Sequence, residues 1–292
     1  MHPERTNPER VRKAPGRIVW VTAGLLLSAC GGGGGGETGT EAVVVEGDFP
    51  VVFAKRDVAA VGNPTDGTIF RPGGDLMLRD LSSPSAETVN ITASYTQGTG
   101  DVSDPEVSYD GRRVLFSMRG PNDRTWNVWE YDLDTEGLHR LIGDDAVADE
   151  GDDVDPAYLP DGRIIFSSNR QEKSRAVLAA DNVEPYPHLD EYERERAILL
   201  HVMNGDGTEI RQISFNQSHD RNPTVLSTGE IMFARWDHVG NNNHFPIFFT
   251  NPDGTNMFVQ NGAFSPGNSF LHPRDMPDGR VLSSLMPLSG TR

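Results

Sequence analysis

Asp155-Pro-Ala-Tyr-Leu-Pro-Asp-Gly-Arg-Ile-Ile-Phe-Ser-Ser-Asn169 decides how the whole chain reads. It opens on a rigid Asp-Pro pair, runs extended for a few residues, turns at Asp161-Gly162 and enters the apolar run Ile164 to Ser168. An Asp-Gly pair between two extended runs is a strong hairpin signal, because glycine takes φ > 0 without steric cost. The same pattern recurs at Asp104-Pro105 to Ser117, with Asp110-Gly111 in the turn. It recurs again at Asn222-Pro223 to Phe233, with Thr228-Gly229, and at His272-Pro273 to Ser284, with Asp278-Gly279. The turn glycines Gly111, Gly162, Gly229 and Gly279 are spaced by 51, 67 and 50 residues. A period of that size with several strands per unit predicts a repeat architecture such as a β-propeller.

Between the inner hairpins lie shorter paired runs that read as outer strands. Asn127 to Asp132 pairs with Leu138 to Ile142 across Asp134–Gly137, with Val128 and Glu130 facing one way and Trp129 and Tyr131 the other. Ile198 to Met203 pairs with Glu209 to Ser214 around Asn204-Gly-Asp-Gly207, and Pro246 to Thr250 turns at Asn251-Pro-Asp-Gly254. Upstream, Ala42–Val45, Phe49–Phe53, Asp75–Leu81 and Glu87–Thr92 read as strands of a degenerate first blade, as terminal repeats often are. The third unit carries an insertion from about Gln171 to Arg196, in which Leu189–Arg196 reads as a short charged helix.

The D-P-…-D-G-R-…-F-S repeat resembles that of the TolB-like six-bladed β-propellers over roughly residues 49–292. A narrower resemblance is carried by Ile231-Met-Phe-Ala-Arg-Trp-Asp-His238, Asn243-His-Phe245 and Asn251-Pro-Asp-Gly-Thr255. It is to the propeller-containing middle domain of the hydrazine synthase alpha-subunit family. The expected fold class is therefore all-β: an incomplete TolB-like propeller of about four four-stranded blades plus a half blade, spanning residues 42–292. Four and a half blades do not close a six-bladed ring and leave a strand edge exposed, so either the chain is part of a longer protein or a partner completes the ring.

The N-terminus reads as an address. Arg10, Arg12, Lys13 and Arg17 precede the apolar run Ile18–Leu27, too short for a stable bilayer span, and Leu27-Ser28-Ala29-Cys30 follows. This order resembles a bacterial lipoprotein signal peptide over residues 1–29, with Cys30 as the acylated residue and 30–41 as a glycine-rich tether. The resemblance implies anchoring in the bacterial cell envelope. Gly31 after the cysteine implies the outer membrane, facing the periplasm or the exterior. Cys30 is the chain's one cysteine, which excludes an internal disulfide and a cysteine-based metal cluster. A formal charge of −17 repels phosphate backbones, so no nucleic acid is expected among the partners.

Two groups of residues are candidates for binding chemistry. Asp144, Asp145, Asp149, Glu150, Asp152, Asp153 and Asp155 form an acidic loop that either holds a divalent cation or is simply solvated. In a propeller the starts of the innermost strands line the channel mouth, so Asp153, Asp155, His219, Asp220 and His272 form a candidate metal set. The other reading is hydrogen bonding that ties neighbouring blades together. Trp126, Trp129 and Trp236 are either packing between blades or a stacking platform. No G-x-S-x-G elbow, C-x-x-C-H haem site or glycine-rich phosphate loop occurs, so no catalytic residue and no cofactor beyond a possible divalent cation is assigned. Two functions stay open. One is a lipid-anchored module that binds or scaffolds a protein partner. The other is the propeller domain of a larger redox or hydrolytic enzyme whose catalytic part lies outside these residues.

Overall fold

The computed structural model describes residues 48–288, apart from 61, 84, 184–186, 240, 241 and 266. Signal segment, Cys30, tether and the Ala42–Val45 run lie outside the described residues. The first sheet holds β1 (Val51–Lys55), β2 (Asp75–Arg79) and β3 (Thr88–Asn90), followed by the short helix α1 (Ala93–Thr96). The second is a four-stranded antiparallel sheet of β4 (Asp101–Val107), β5 (Arg113–Arg119), β6 (Asn127–Asp132) and β7 (Gly137–Arg140). After α2 (Asp145–Ala148) comes the third, of β8 (Asp153–Tyr158), β9 (Ile164–Ser168), β10 (Leu199–Met203) and β11 (Arg211–Gln212), with α3 (Glu172–Ala180) between β9 and β10.

The fourth sheet begins with β12 (Asp220–Val225) and β13 (Ile231–Arg235). A small separate hairpin, β14 (Asp237–Val239) and β15 (Asn242–His244), then intervenes before β16 (Ile247–Thr250) and β17 (Phe258–Asn261) complete it. Last comes the pair β18 (Asn268–Asp275) and β19 (Val281–Pro287). Among the described residues there are thus three four-stranded sheets, one of three strands and one terminal pair, besides the small hairpin. This is the β-propeller arrangement that the repeats predict. The outer edge of β19 pairs with no described strand, and Leu282 and Leu285 on it are exposed.

Each inner hairpin turns as its sequence requires. Gly162 N–H donates to Leu159 O at 3.0 Å, closing a four-residue turn whose last residue sits at φ 87°, where glycine alone is unstrained. Gly111, Gly229 and Gly279 repeat the bond at 2.8 Å and the positive φ. The Asp-Gly-Arg turns add a second tie: Asp110, Asp161 and Asp278 each accept from the backbone N–H two residues on, at 3.1 Å.

Period-two alternation distributes the core between sheets. On β9, Ile164 and Phe166 pack back against Leu115 and Val128 of the second sheet. Ile165, between them, packs forward against Ile231 and Phe233 of the fourth. On β6, Val128 faces the third sheet while Trp129 and Tyr131 face Leu76 and the first. A fully buried Phe166 or Phe233 contributes about 1.5–3 kcal/mol by its removal from water. Trp129 (6% exposed) lies in the seam with the first sheet and Trp236 (1%) packs with Ala234, Phe245 and Leu288, both as packing residues, whereas the buried Trp126 lies edge-on to Phe70.

One local expectation is corrected. Leu189–Arg196 is not a helix: Leu189 and Arg196 form an antiparallel bridge around a turn, and the helix of the insertion is α3. The carboxylate of Asp190 accepts from the N–H groups of Tyr192 and Arg194, both at 3.0 Å, and this local bonding displaces the helical ladder.

Candidate functional site: the cavity at the inner strands

The innermost strands β4, β8 and β12 are the edge strands of their sheets, where a proline's missing N–H leaves no gap in the ladder. Each, like β18, carries its X-Pro pair at a shift of register against its neighbour: between Ser103 and Glu106, Val154 and Ala157, Arg221 and Thr224, Leu271 and Arg274. The residue before the proline is left-handed every time, at φ 54° for Asp104, 53° for Asp155, 53° for Asn222 and 48° for His272. Asp, Asn and His are the non-glycine residues enriched in this region, and all four positions use them. Such a bulge re-aims its side chain. All four residues line one cavity of about 590 Å³.

Within the cavity these residues link successive blades. Asp155 accepts from the backbone N–H of Asn222 and from its Nδ2, both at 3.0 Å. Asn222 Oδ1 in turn accepts from the N–H of His272 at 3.3 Å. The nearby Arg221, His272 and the Asn222 bonds outweigh burial and hold the Asp155 carboxyl below its usual range. Asp104 breaks the pattern. Among the described residues neither a backbone N–H of the next blade nor an arginine bonds its carboxyl, beside which the Ser103 side chain lies. Burial first, and then the Asp155 charge, push it up to about 6.

Segment Asn63–Arg71, between β1 and β2, crosses this cavity. Arg194 Nη2 donates to Thr65 O at 2.8 Å and Arg221 Nη1 to Asp66 O at 3.0 Å. Thr68 Oγ1 donates to Asp152 at 2.6 Å, and Phe70 lies edge-on to Trp126 with the Arg119 guanidinium over its ring at 4.7 Å. A stretch of the first blade is thereby bonded to the next three.

Around the cavity, three aspartates at the starts of inner strands are locked by forked arginine pairs. Asp101 takes Arg56 Nε at 2.8 Å and Nη2 at 2.6 Å. Asp153 takes Arg170 at 3.0 and 2.5 Å, and Asp220 takes Arg235 at 2.8 Å twice. Two-point bonding of this kind is the strongest form of the contact.

The five residues of the candidate metal set therefore separate. Asp155 and His272 come together in the cavity, whereas Asp153 and Asp220 turn away to Arg170 and Arg235. His219 is buried against Trp236, its ring centroid 5.2 Å away, and its Nδ1 accepts from Ile198 N–H at 3.1 Å. Burial drives it down to about 3, so it stays neutral. The acidic loop is likewise spent on local structure: Asp144 caps α2, Asp145 pairs with Arg140, and Asp152 accepts from Trp126 N–H. Among the described residues no three His, Cys, Asp or Glu side chains form a group able to hold a metal ion.

Sequence reading missed Asp104, Asn222, Arg56 and Arg221 as cavity residues. A signal for the first two was present: they precede a proline at the same place in their repeats as Asp155 and His272.

The sequence matches no protein-family model and no curated protein. Among solved structures the chain is similar to hydrazine synthase of Kuenenia stuttgartiensis, with a TM-score of 0.64 and 16% identity over 83% of this chain and 36% of that one. It therefore spans little more than a third of that protein's length. It is also similar to a putative TolB from Agrobacterium tumefaciens (TM-score 0.47, 17% identity, 73% of this chain and 66% of that one). A third similar structure is the β-propeller domain of the Trilobed protease from Pyrococcus furiosus (TM-score 0.40, 9% identity, 74% and 57%). At these identities the likeness is one of fold, and the fold is a β-propeller.

Proposed function

We propose that this protein is a lipid-anchored propeller of the bacterial cell envelope that works as a binding module, presenting its inner-strand cavity and the surrounding loops to a protein partner. The observation that carries this reading is the delivery of Asp104, Asp155, Asn222 and His272 to one cavity by four successive inner strands. The strand-start aspartates Asp101, Asp153 and Asp220 are meanwhile committed to arginines as structural ties. The anchor rests on the order of basic region, apolar run, small residues and Cys30. No described helix is long and apolar enough to cross a membrane. Each buried methylene of an acyl chain contributes about 0.8 kcal/mol to anchoring.

A second reading, the propeller domain of a larger enzyme, is favoured by one observation: the fold likeness to hydrazine synthase covers most of this chain but only 36% of that one. Intact mass of the protein extracted from membranes separates the two. A lipidated species of the size of residues 30–292, eluting with a partner in detergent, fits the module. A far heavier chain fits the larger enzyme. The anchor has its own test: Cys30→Ala moves the protein out of the membrane fraction, and unchanged membrane association removes the lipoprotein assignment.

A further inference from the structure

We propose that the cavity binds a primary alkylammonium group, with the charge at Asp104 and the carbon chain along the apolar wall of Ala54, Ile69, Leu271 and Met286. This deepens the binding-module reading and rests on it. The argument begins with the ladder of X-Pro residues. Asp155 and Asn222 each satisfy the next blade, and both oxygens of Asp155 are taken by Asn222. Asp104, which lines the same cavity, is the carboxylate of the ladder that takes no bond from the next blade or from an arginine among the described residues.

Charge asks for a cation there. Of the cavity's two arginines, Arg56 is forked onto Asp101, and Arg221 faces Asp155 while donating to the carbonyls of Pro64 and Asp66. Asp155 and the His272 imidazole also face Asp104, the first opposing its charge and the second favouring it. A divalent metal is poorly served, since no three ligating side chains converge among the described residues. A compact ammonium needs only a point contact. The apolar wall suits an alkyl chain, and about 590 Å³ lies within the range of small-molecule sites.

Such a group comes either from a free amine or from a lysine side chain of a partner, and calorimetry on the detergent-solubilised full chain distinguishes them. The probes are pentylamine, 1-pentanol as its uncharged counterpart, and an Nα-acetyl-lysine N-methylamide. Pentylamine is expected to bind saturably and at least tenfold more tightly than 1-pentanol. Binding weakens tenfold or more in Asp104→Asn, and weakens in the wild type as pH falls from 7 to 5 and the Asp104 carboxyl takes a proton. Tighter binding of the lysine compound assigns the site to a partner's side chain; tighter binding of pentylamine assigns it to a free amine. Met286→Trp fills the apolar wall without touching the charge and is expected to weaken pentylamine as well, so the proposal stays testable if Asp104→Asn fails to fold. Equal binding of pentylamine and 1-pentanol, or undiminished binding in both variants, overturns the proposal. Failure of amine binding with a partner still attached sinks the ligand class alone; loss of both sinks the module reading too.

Discussion

Arg170 is 1% exposed and Asp153 is fully buried, so their forked pair is the best place to test what holds a blade together. Arg170→Met keeps much of the side-chain volume and removes the charge. What remains is a buried carboxylate with only the Ser168 hydroxyl, at 2.6 Å, bonded to its side chain. Arg170 also donates to Val147 O at 3.1 Å and pairs with Glu150, so the α2 turn loses its tie to the sheet. Removing one partner of a buried pair costs about 3–5 kcal/mol, because the charge left behind has no compensation. At about 2–4 °C per kcal/mol for a domain of this size, Tm falls by roughly 10 °C.

The loss should depend on pH with a definite sign. Burial already holds the Asp153 carboxyl above its usual range despite Arg170. Without the guanidinium it rises further, the folded form takes up the proton more readily than the unfolded one, and the variant regains stability relative to wild type as pH falls. Replacing both partners, Asp153→Leu with Arg170→Met, should recover most of the loss, since no isolated charge remains. Urea unfolding followed by tryptophan fluorescence at pH 7.5 and 5 measures all three. A single variant within 1 kcal/mol of wild type at pH 7.5, or a double variant no better than the single one, refutes the reasoning.

Gly162 and Gly254 share a positive φ, 87° and 84°, but an added Cβ at Gly162 meets nothing within 4 Å, whereas at Gly254 it lies 2.2 Å from Ile213 O. Gly162→Ala should therefore cost only the backbone term of about 1–2 kcal/mol, and Gly254→Ala clearly more; equal melting temperatures would contradict the close approach. For Asp104, a folded value of about 6 against an ordinary 3.8 means that the native state holds the proton more tightly. Wild-type stability should fall as pH rises from about 4 to 6, by on the order of 2–3 kcal/mol. Asp104→Asn should lack that fall, matching wild type at pH 4 and exceeding it at pH 7 in urea titrations. Identical pH profiles would remove Asp104 as a strained carboxylate.

The fold was legible because its signals are local. Asp161-Gly162 and its three counterparts mark the inner turns by conformational necessity, and the alternation Val128, Trp129, Glu130, Tyr131 assigns faces by the pleat alone. The site was less legible because bulges break that alternation. Asp153 and Asp155 are two apart and read as neighbours on one face, yet the left-handed Asp155 turns into the cavity while Asp153 meets Arg170. The partners of charged groups lie far away in sequence, as Arg56 does from Asp101, and no spacing rule finds them. Leu189–Arg196 shows the reverse failure, where helix-favouring composition lost to one aspartate's local bonds.

The bonds from segment Asn63–Arg71 also have a bearing on how the chain assembles. Thr65 and Arg194 are 129 residues apart, and Pro64 and Arg221 are 157 apart. During synthesis the segment emerges before any of its distant acceptors and donors exist, and closing such loops is entropically slow. The second, third and fourth sheets must be in place before it can settle. Its seating is therefore expected to follow formation of those sheets, so the backbone amides of Thr65 to Thr68 should exchange with solvent well before those of β9 or β13.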